Sequence, residues 1–177
     1  MVGAAMLASS AGVRAAQDDP RLDGLFAELR NAGSAVEARR IEIMIWQIWT
    51  EASDGETRGL MRQGMAALSS DDEEEALGLF NRVVARSARF AEGWNKRATV
   101  EYMMGDFAAS VADIERTLAL EPRHFGALSG LGEIYLSLGR KQAALKAFEA
   151  ALAIDPFLDA VKETAEKLKK ELAGAPI

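Results

Sequence analysis

His124 is the only histidine among 177 residues, and the chain has no cysteine. Thiolate nucleophiles, disulfides, thiolate metal sites and paired-histidine motifs such as H-E-x-x-H are therefore excluded. A catalytic histidine needs an orienting carboxylate and a nucleophile, and nothing in the spacing around Pro122-Arg123-His124 selects either. An exposed or helix-capping histidine is expected there. The acidic run Asp71-Asp72-Glu73-Glu74-Glu75 lacks the alternating ligands and central glycine of a calcium loop. Acids at a helix start interact favourably with its dipole, so solvated capping is the expected role. Gly126, Gly130 and Gly132 match neither G-x-G-x-x-G nor G-K-[ST], and no strand precedes them. They read as small residues for helix packing. The residues together predict a non-enzymatic chain with no catalytic residue, no cofactor and no metal.

Charge and composition narrow the partners. With 21 Lys+Arg against 27 Asp+Glu the formal net charge is −6, so the basic face that phosphate neutralisation requires is missing and nucleic acid is not an expected partner. Hydrophobic residues at 49% and charged residues at 27% give a chain that can bury a core. Residues 1–16 carry no acid and are mostly small and apolar. The run from Val2 to Val13 is shorter than the roughly 20 residues that span a bilayer, so no stable membrane insertion is expected. It suits a secretory signal, with Val13-Arg14-Ala15 as a small-x-small cleavage site over residues 1–15. A basic residue ahead of the apolar run is missing, which a start site placed too far downstream or a plain flexible tail would each explain. The expectation is a periplasmic or secreted protein exported from a bacterial cytoplasm, cytoplasmic if residues 1–15 are not a signal.

The elements that would position any site follow from self-similarity. Pro122 and Pro156 are 34 residues apart, and the same step aligns Phe26, Leu60, Trp94 and Leu128. It also aligns Trp46, Phe80, Ile114 and Phe148, and a column of mostly small residues, Arg30, Gly64, Ala98 and Gly132. Four windows stay in phase: 23–56, 57–90, 91–124 and 125–158.

These residues resemble the tetratricopeptide repeat (TPR) family. The last window carries the pattern most fully, through Leu128, Leu131-Gly132, Tyr135, Gly139-Arg140, Ala144, Phe148, Ala151 and Asp155-Pro156. Window 91–124 follows with Trp94, Ala98, Gly105-Asp106-Phe107, Ile114, Leu118 and Pro122. Window 57–90 keeps Gly64, Ala76, Phe80 and Val83, with Ala88 in place of proline, and residues 20–56 keep only the large positions. The resemblance implies an all-α fold, a right-handed superhelical stack of three clear helix pairs over 57–158, a degenerate pair over 20–56 and a capping helix over 157–173. Small residues at Gly64, Ala98 and Gly132 should let paired helices approach, with Phe80, Ile114 and Phe148 filling space between successive pairs. No repeat buries its apolar face alone, so stacking supplies the core.

The N-terminal window starts a helix at Asp19-Pro20 and ends it at Gly33. Ser34-x-x-Glu37 is a capping box opening a second helix to about Ser53. Its Ile41–Trp49 run is apolar on nearly every side, which suits either a helix sandwiched inside the chain or a face that mates with another subunit as a homo-oligomer.

In the TPR family the first helix of each pair lines a concave groove. Carried onto this chain, the partner-binding positions are Arg58, Met61, Met65 and Leu68, then Glu92, Asn95, Thr99, Tyr102 and Met103, then Ser129, Glu133 and Leu136. The family's best-known groove clamps terminal carboxylates with Lys, Asn and Arg, whereas the matching places here hold Met61, Met65, Lys96, Gly126 and Gly130. A largely apolar, methionine-rich floor suited to an amphipathic helix or extended peptide is expected instead. The same residues could equally pack on the chain's own N-terminal helices. The implied function is a protein–protein interaction scaffold or adaptor. A structural homo-oligomer through the Ile41–Trp49 helix and an accessory subunit of an enzyme encoded elsewhere are the alternatives.

Overall fold

The computed structural model describes residues 15–52 and 54–174, and every regular element among them is helical. The expected signal over 1–15 lies, except for Ala15, outside the described residues. After a 3-10 turn at Ala16–Asp18 come α1 (Arg21–Arg30), α2 (Ala35–Thr50), α3 (Gly55–Ser69), α4 (Glu73–Arg86), α5 (Ala91–Met103), α6 (Phe107–Leu120), α7 (Phe125–Ser137), α8 (Lys141–Ile154) and α9 (Asp159–Leu172). Helices α3–α4, α5–α6 and α7–α8 form antiparallel pairs, each packs on the next, and α9 closes the end against α8. The result is an all-α superhelical stack.

Local chemistry sets the turns. Within each pair the chain reverses through a left-handed residue, Gly105 (φ 79°) and Gly139 (φ 69°), where a missing Cβ removes the steric penalty. The equivalent residue of the first pair is Asp71, with φ 54°. One residue on, Asp72 and Asp106 cap α4 and α6 by accepting from the N–H groups of Glu75 (3.0 Å) and Ala109 (3.1 Å). The acidic run is thus an exposed cap. Arg140 holds the matching place before α8 and supplies no side-chain cap.

Close crossings lie inside two of the pairs, and another, Gly93 of α5 against Val83 of α4, lies between pairs. A Cβ on Gly64 would sit 2.7 Å from the Phe80 ring, and one on Gly132 would sit 2.3 Å from Phe148. The aromatic rings therefore press first on the partner helix of their own pair, while Ile114 meets Ala127 and Ile134 of the next pair and Phe148 also reaches Ala165 and Leu168 of α9, so the expected filling between successive elements is met in part.

The N-terminal pair departs from the stack. Leu22, Leu25, Phe26 and Leu29 of α1 meet Ala38, Ile41, Ile45, Ile48 and Trp49 of α2 in a cluster completed by Phe125, Ile154, Phe157 and Leu158. No residue of α3 or α4 belongs to it. The hairpin lies across the concave side, against α5, α7, α8 and the turn before α9. The expectation that window 23–56 continues the stack as a degenerate repeat is corrected here. Position 30 departs from the pattern as well: where the other pairs have glycine or alanine inside a crossing, α1 ends in an exposed arginine. The capping box forms in shifted form, Ser34 Oγ accepting from the Glu37 N–H (3.2 Å) and the Glu37 carboxylate accepting from the Gly33 N–H (2.9 Å).

Candidate functional site

The first helices of the pairs, α3, α5 and α7, face the concave side. Their groove is divided by α2. At its centre Glu92 of α5 is fully buried, with Oε1 3.1 Å from Lys96 Nζ and Oε2 2.9 Å from His124 Nε2. Asn95 Nδ2 donates to the same carboxylate at 3.0 Å. Burial opposes charge on Glu92, but Lys96 and His124 outweigh it and hold the carboxyl below its usual range. His124 is buried, not exposed, and its capping role is realised: Nδ1 accepts from the Ala127 N–H at 3.0 Å at the start of α7. With Nδ1 an acceptor, the ring proton of the neutral form sits on Nε2 and is donated to Glu92.

On this floor sit the two tryptophans of α2. Trp49 stacks flat on the His124 ring, with centroids 4.2 Å apart and planes within 8°. Trp46 stands edge-on to His124 (5.4 Å) and to Phe125 (5.6 Å), and lies beneath Lys96 Nζ (5.4 Å). A Cβ on Gly126 would lie 2.7 Å from the Trp46 ring, so only glycine admits the indole at this position. Arg123 braces the hairpin from outside, 2.6 Å from Asp23 and over the face of Phe26 at 4.4 Å. That the groove residues could pack on the chain's own N-terminal helices was one of the two sequence readings, and it is the one found at Glu92, Lys96 and Gly126; the seat of Trp46 and Trp49 on His124 was not foreseen. The available signal was Gly126 at a groove-facing place, together with Arg30 at a place that should be small.

Two of the cavities beside the hairpin are lined by residues of α3, α5 and α7. One of about 600 Å³ lies between the end of α2 and helices α3 and α5, lined by Arg58, Met61, Arg62, Met65 and Lys96 with Thr50 and Glu51. The other, about 130 Å³, lies between α5, α6 and α7, where Gly126 and Gly130 leave room beside Asn95, Thr99, Tyr102 and Glu133. The structure so brings Arg58, Met61 and Met65 to one cavity and Asn95, Thr99, Tyr102 and Glu133 to the other. Glu92 lies under the hairpin. Leu68 packs on the α3–α4 core and Leu136 on the α8–α9 cluster. Ser129 turns its hydroxyl back to the Phe125 carbonyl, and Met103 is exposed but lines neither cavity.

Among the described residues no cluster of His, Asp or Glu could hold a metal ion, and no helix is long and apolar enough to cross a membrane. The raised carboxyls lie elsewhere: Glu101 is pushed up to about 7 by burial and by Asp113, and Asp155 to about 6 by burial and by Glu42.

Paired antiparallel helices stacked with a concave inner face define a helical-repeat protein. Comparison with known proteins gives the family. The tetratricopeptide repeat family model matches residues 95–159, and a TPR repeat-containing protein of Rhizobium etli is 36% identical over 154 residues, covering 87% of this chain and 76% of that protein. The chain belongs to the tetratricopeptide repeat family. It is also 31% identical over 114 residues to the Hsp70-Hsp90 organizing protein of Triticum aestivum, spanning 64% of this chain but only 20% of that protein. Among solved structures, MamA superposes with a TM-score of 0.63 at 19% identity, covering 89% of this chain and 84% of that one. The first TPR of Spaghetti (RPAP3) bound to the HSP90 peptide SRMEEVD does so with 0.63 at 20% identity, covering 66% and 93%.

Proposed function

We propose that this chain is a non-enzymatic adaptor that holds a segment of another protein along its concave face. The open cavity of about 600 Å³ carries the reading: Met65, 41% exposed, stands among Arg58, Arg62 and Lys96 on the inner side of a TPR stack. Exposed methionine beside mobile cationic stems makes a surface that adapts to apolar side chains and to an acidic rim. Structures of the same fold hold chaperone peptides, an HSP90 peptide on the first TPR of Spaghetti and an HSP70 peptide on the second TPR domain of human RPAP3. They support a peptide-sized client, while Met61, Met65, Gly126 and Gly130 at the clamp places of this chain argue against the same terminal-carboxylate grip. The partner-binding positions in this proposal are those at the two cavities, Arg58, Met61, Met65, Asn95, Thr99, Tyr102 and Glu133.

A photo-crosslinking residue at Met65, with pull-down from the source cell, tests the reading. A client that is captured there, and lost when Met65 and Tyr102 are both changed to Ser with helicity retained, supports it. Capture that persists in the double variant overturns it. Export belongs to the same proposal, supported by the apolar run from Val2 to Val13. Intact mass of native protein should show Ala16 as the first residue, and a full-length mass in the cytoplasmic fraction would refute export. Cleavage there would keep Gln17, whose side chain donates to the Arg89 carbonyl at 2.6 Å.

The homo-oligomer reading keeps a smaller surface. Ile41, Ile45, Ile48 and Trp49 are buried inside the chain, leaving Val36, Ile43 and Met44 exposed on α2. Light scattering separates the two: a concentration-independent monomer mass leaves the adaptor.

A further inference from the structure

The concave face is already occupied by a helix, and the occupant states the chemistry that the face accepts. Trp46 and Trp49, one helical turn apart, fill a floor made by Lys96, His124, Phe125 and Gly126. We propose that this floor is a recognition site for an amphipathic helix presenting two aromatic side chains one turn apart, that α2 is its resident ligand, and that a partner helix of this pattern binds by displacing the α1–α2 hairpin. The proposal rests on the reading of the concave face as the binding surface and names the class of partner.

Three features make the hairpin displaceable. Its apolar core is largely its own, α1 against α2, with Phe125, Ile154, Phe157 and Leu158 as the shared part. It is therefore an amphipathic unit that can leave without opening the cores between α3 and α9. Next, docking leaves the Trp49 Nε1–H buried with no acceptor, a penalty that a partner with phenylalanine in that place avoids. Finally, the floor keeps its shape by itself. Glu92, Lys96, Asn95 and His124 are bound to one another, and the His124 cap belongs to α7. A tethered hairpin competes at an effective concentration on the order of millimolar, so an outside helix binds the parent chain weakly and binds a chain with a weakened hairpin well.

The test uses the full chain and a labelled peptide with the sequence of residues 34–51. Trp46→Ala with Trp49→Ala removes the resident anchors and leaves the floor intact. The peptide should bind this variant at least tenfold more tightly than the parent. Adding Gly126→Leu, which fills the indole seat, should abolish binding, as should Trp→Ala at both places in the peptide. Equal binding to parent and variant, or indifference to Gly126→Leu, overturns the proposal. Should the double variant fail to fold, Gly126→Leu alone gives a second readout: tryptophan emission shifts to the red as Trp46 and Trp49 meet water, while most helicity remains. Unchanged emission overturns the proposal. So does a parent that is a dimer exchanging α2 between copies. If the peptide test fails while a client still crosslinks at Met65, the adaptor reading stands and this inference falls alone.

Discussion

Single residues decide how well each repeat closes. Asp72 and Asp106 cap their helices from a conformation that Arg140 shares, with φ and ψ near −87° and 62°, yet Arg140 offers no acceptor. Arg140→Asp should add the missing bond to the start of α8 and stabilise the chain by about 1 kcal/mol, read as a higher urea midpoint with an unchanged slope. The left-handed residue at the turn of the α3–α4 pair gives a second test. Asp71 sits where Gly105 and Gly139 serve the other pairs, so Asp71→Gly should stabilise by roughly 0.5–1 kcal/mol through relief of the Cβ contact. At the Gly132 crossing the direction reverses. With Phe148 2.3 Å from the place of a Cβ, Gly132→Leu forces the α7–α8 pair apart and should cost ~3 kcal/mol or more. A melting temperature equal to that of the parent would show that the crossing is not packed.

At the scale of elements, what the sequence revealed and what it hid follow one physical line. The three pairs were legible because each repeats the same short-range contacts, such as Gly132 with Phe148, only 16 residues apart. The family pattern placed a groove on α3, α5 and α7, and Met61, Met65, Lys96, Asn95 and Gly126 of these helices line the two cavities. The two helices of the hairpin were legible and their packing on the groove was one of two open readings, but their seat was not, because its decisive contact, Trp46 on Gly126, joins residues 80 apart, and Trp46 falls in the same column as Phe80, Ile114 and Phe148. Periodicity alone assigns it a repeat role. Arg30 breaks the pattern on the partner helix, and Trp46 and Trp49 of α2 pack on His124 and Phe125. Burial of His124 was hidden for the same reason, since the ring is covered by Trp49. The terminal helix α9 was legible through its single stripe, Val161, Ala165 and Leu168, which packs on Phe148 and Ala144. Leu168→Glu places a charge in that cluster and should cost ~3 kcal/mol while leaving the α1–α2 cluster intact, a difference that hydrogen exchange would read helix by helix.

The whole molecule carries two buried acids whose protonation ties its stability to pH. Glu101 lies between α5 and α6 beside Asp113; Arg97 holds Asp113 at 2.6 Å and reaches Glu101 Oε1 at 3.6 Å, which only partly offsets burial, and Glu101 Oε2 is buried with no hydrogen-bond partner. Asp155 follows α8, buried near Glu42, accepting from the Phe157 N–H at 3.0 Å. Burial is the main cause of both shifts, which bring Glu101 to about 7 and Asp155 to about 6. In the unfolded chain both groups lose their protons near pH 4. Between that pH and the folded values the native state binds more protons than the unfolded state, so stability falls as pH rises. The penalty is absent below about pH 4, grows through the window and is complete above about pH 7. The unfolding free energy should therefore decline by on the order of 2–4 kcal/mol between pH 5 and pH 7.5, against the rise that carboxylates held in ion pairs contribute at lower pH. Glu101→Gln keeps the shape and removes the ionisation, so it should flatten most of that slope and leave the variant more stable than the parent at pH 7.5. Asp155→Asn should flatten the lower part of the same window. Urea titrations at the two pH values give the result directly, and parallel slopes for parent and Glu101→Gln would show that Glu101 stays charged and solvated in the folded chain.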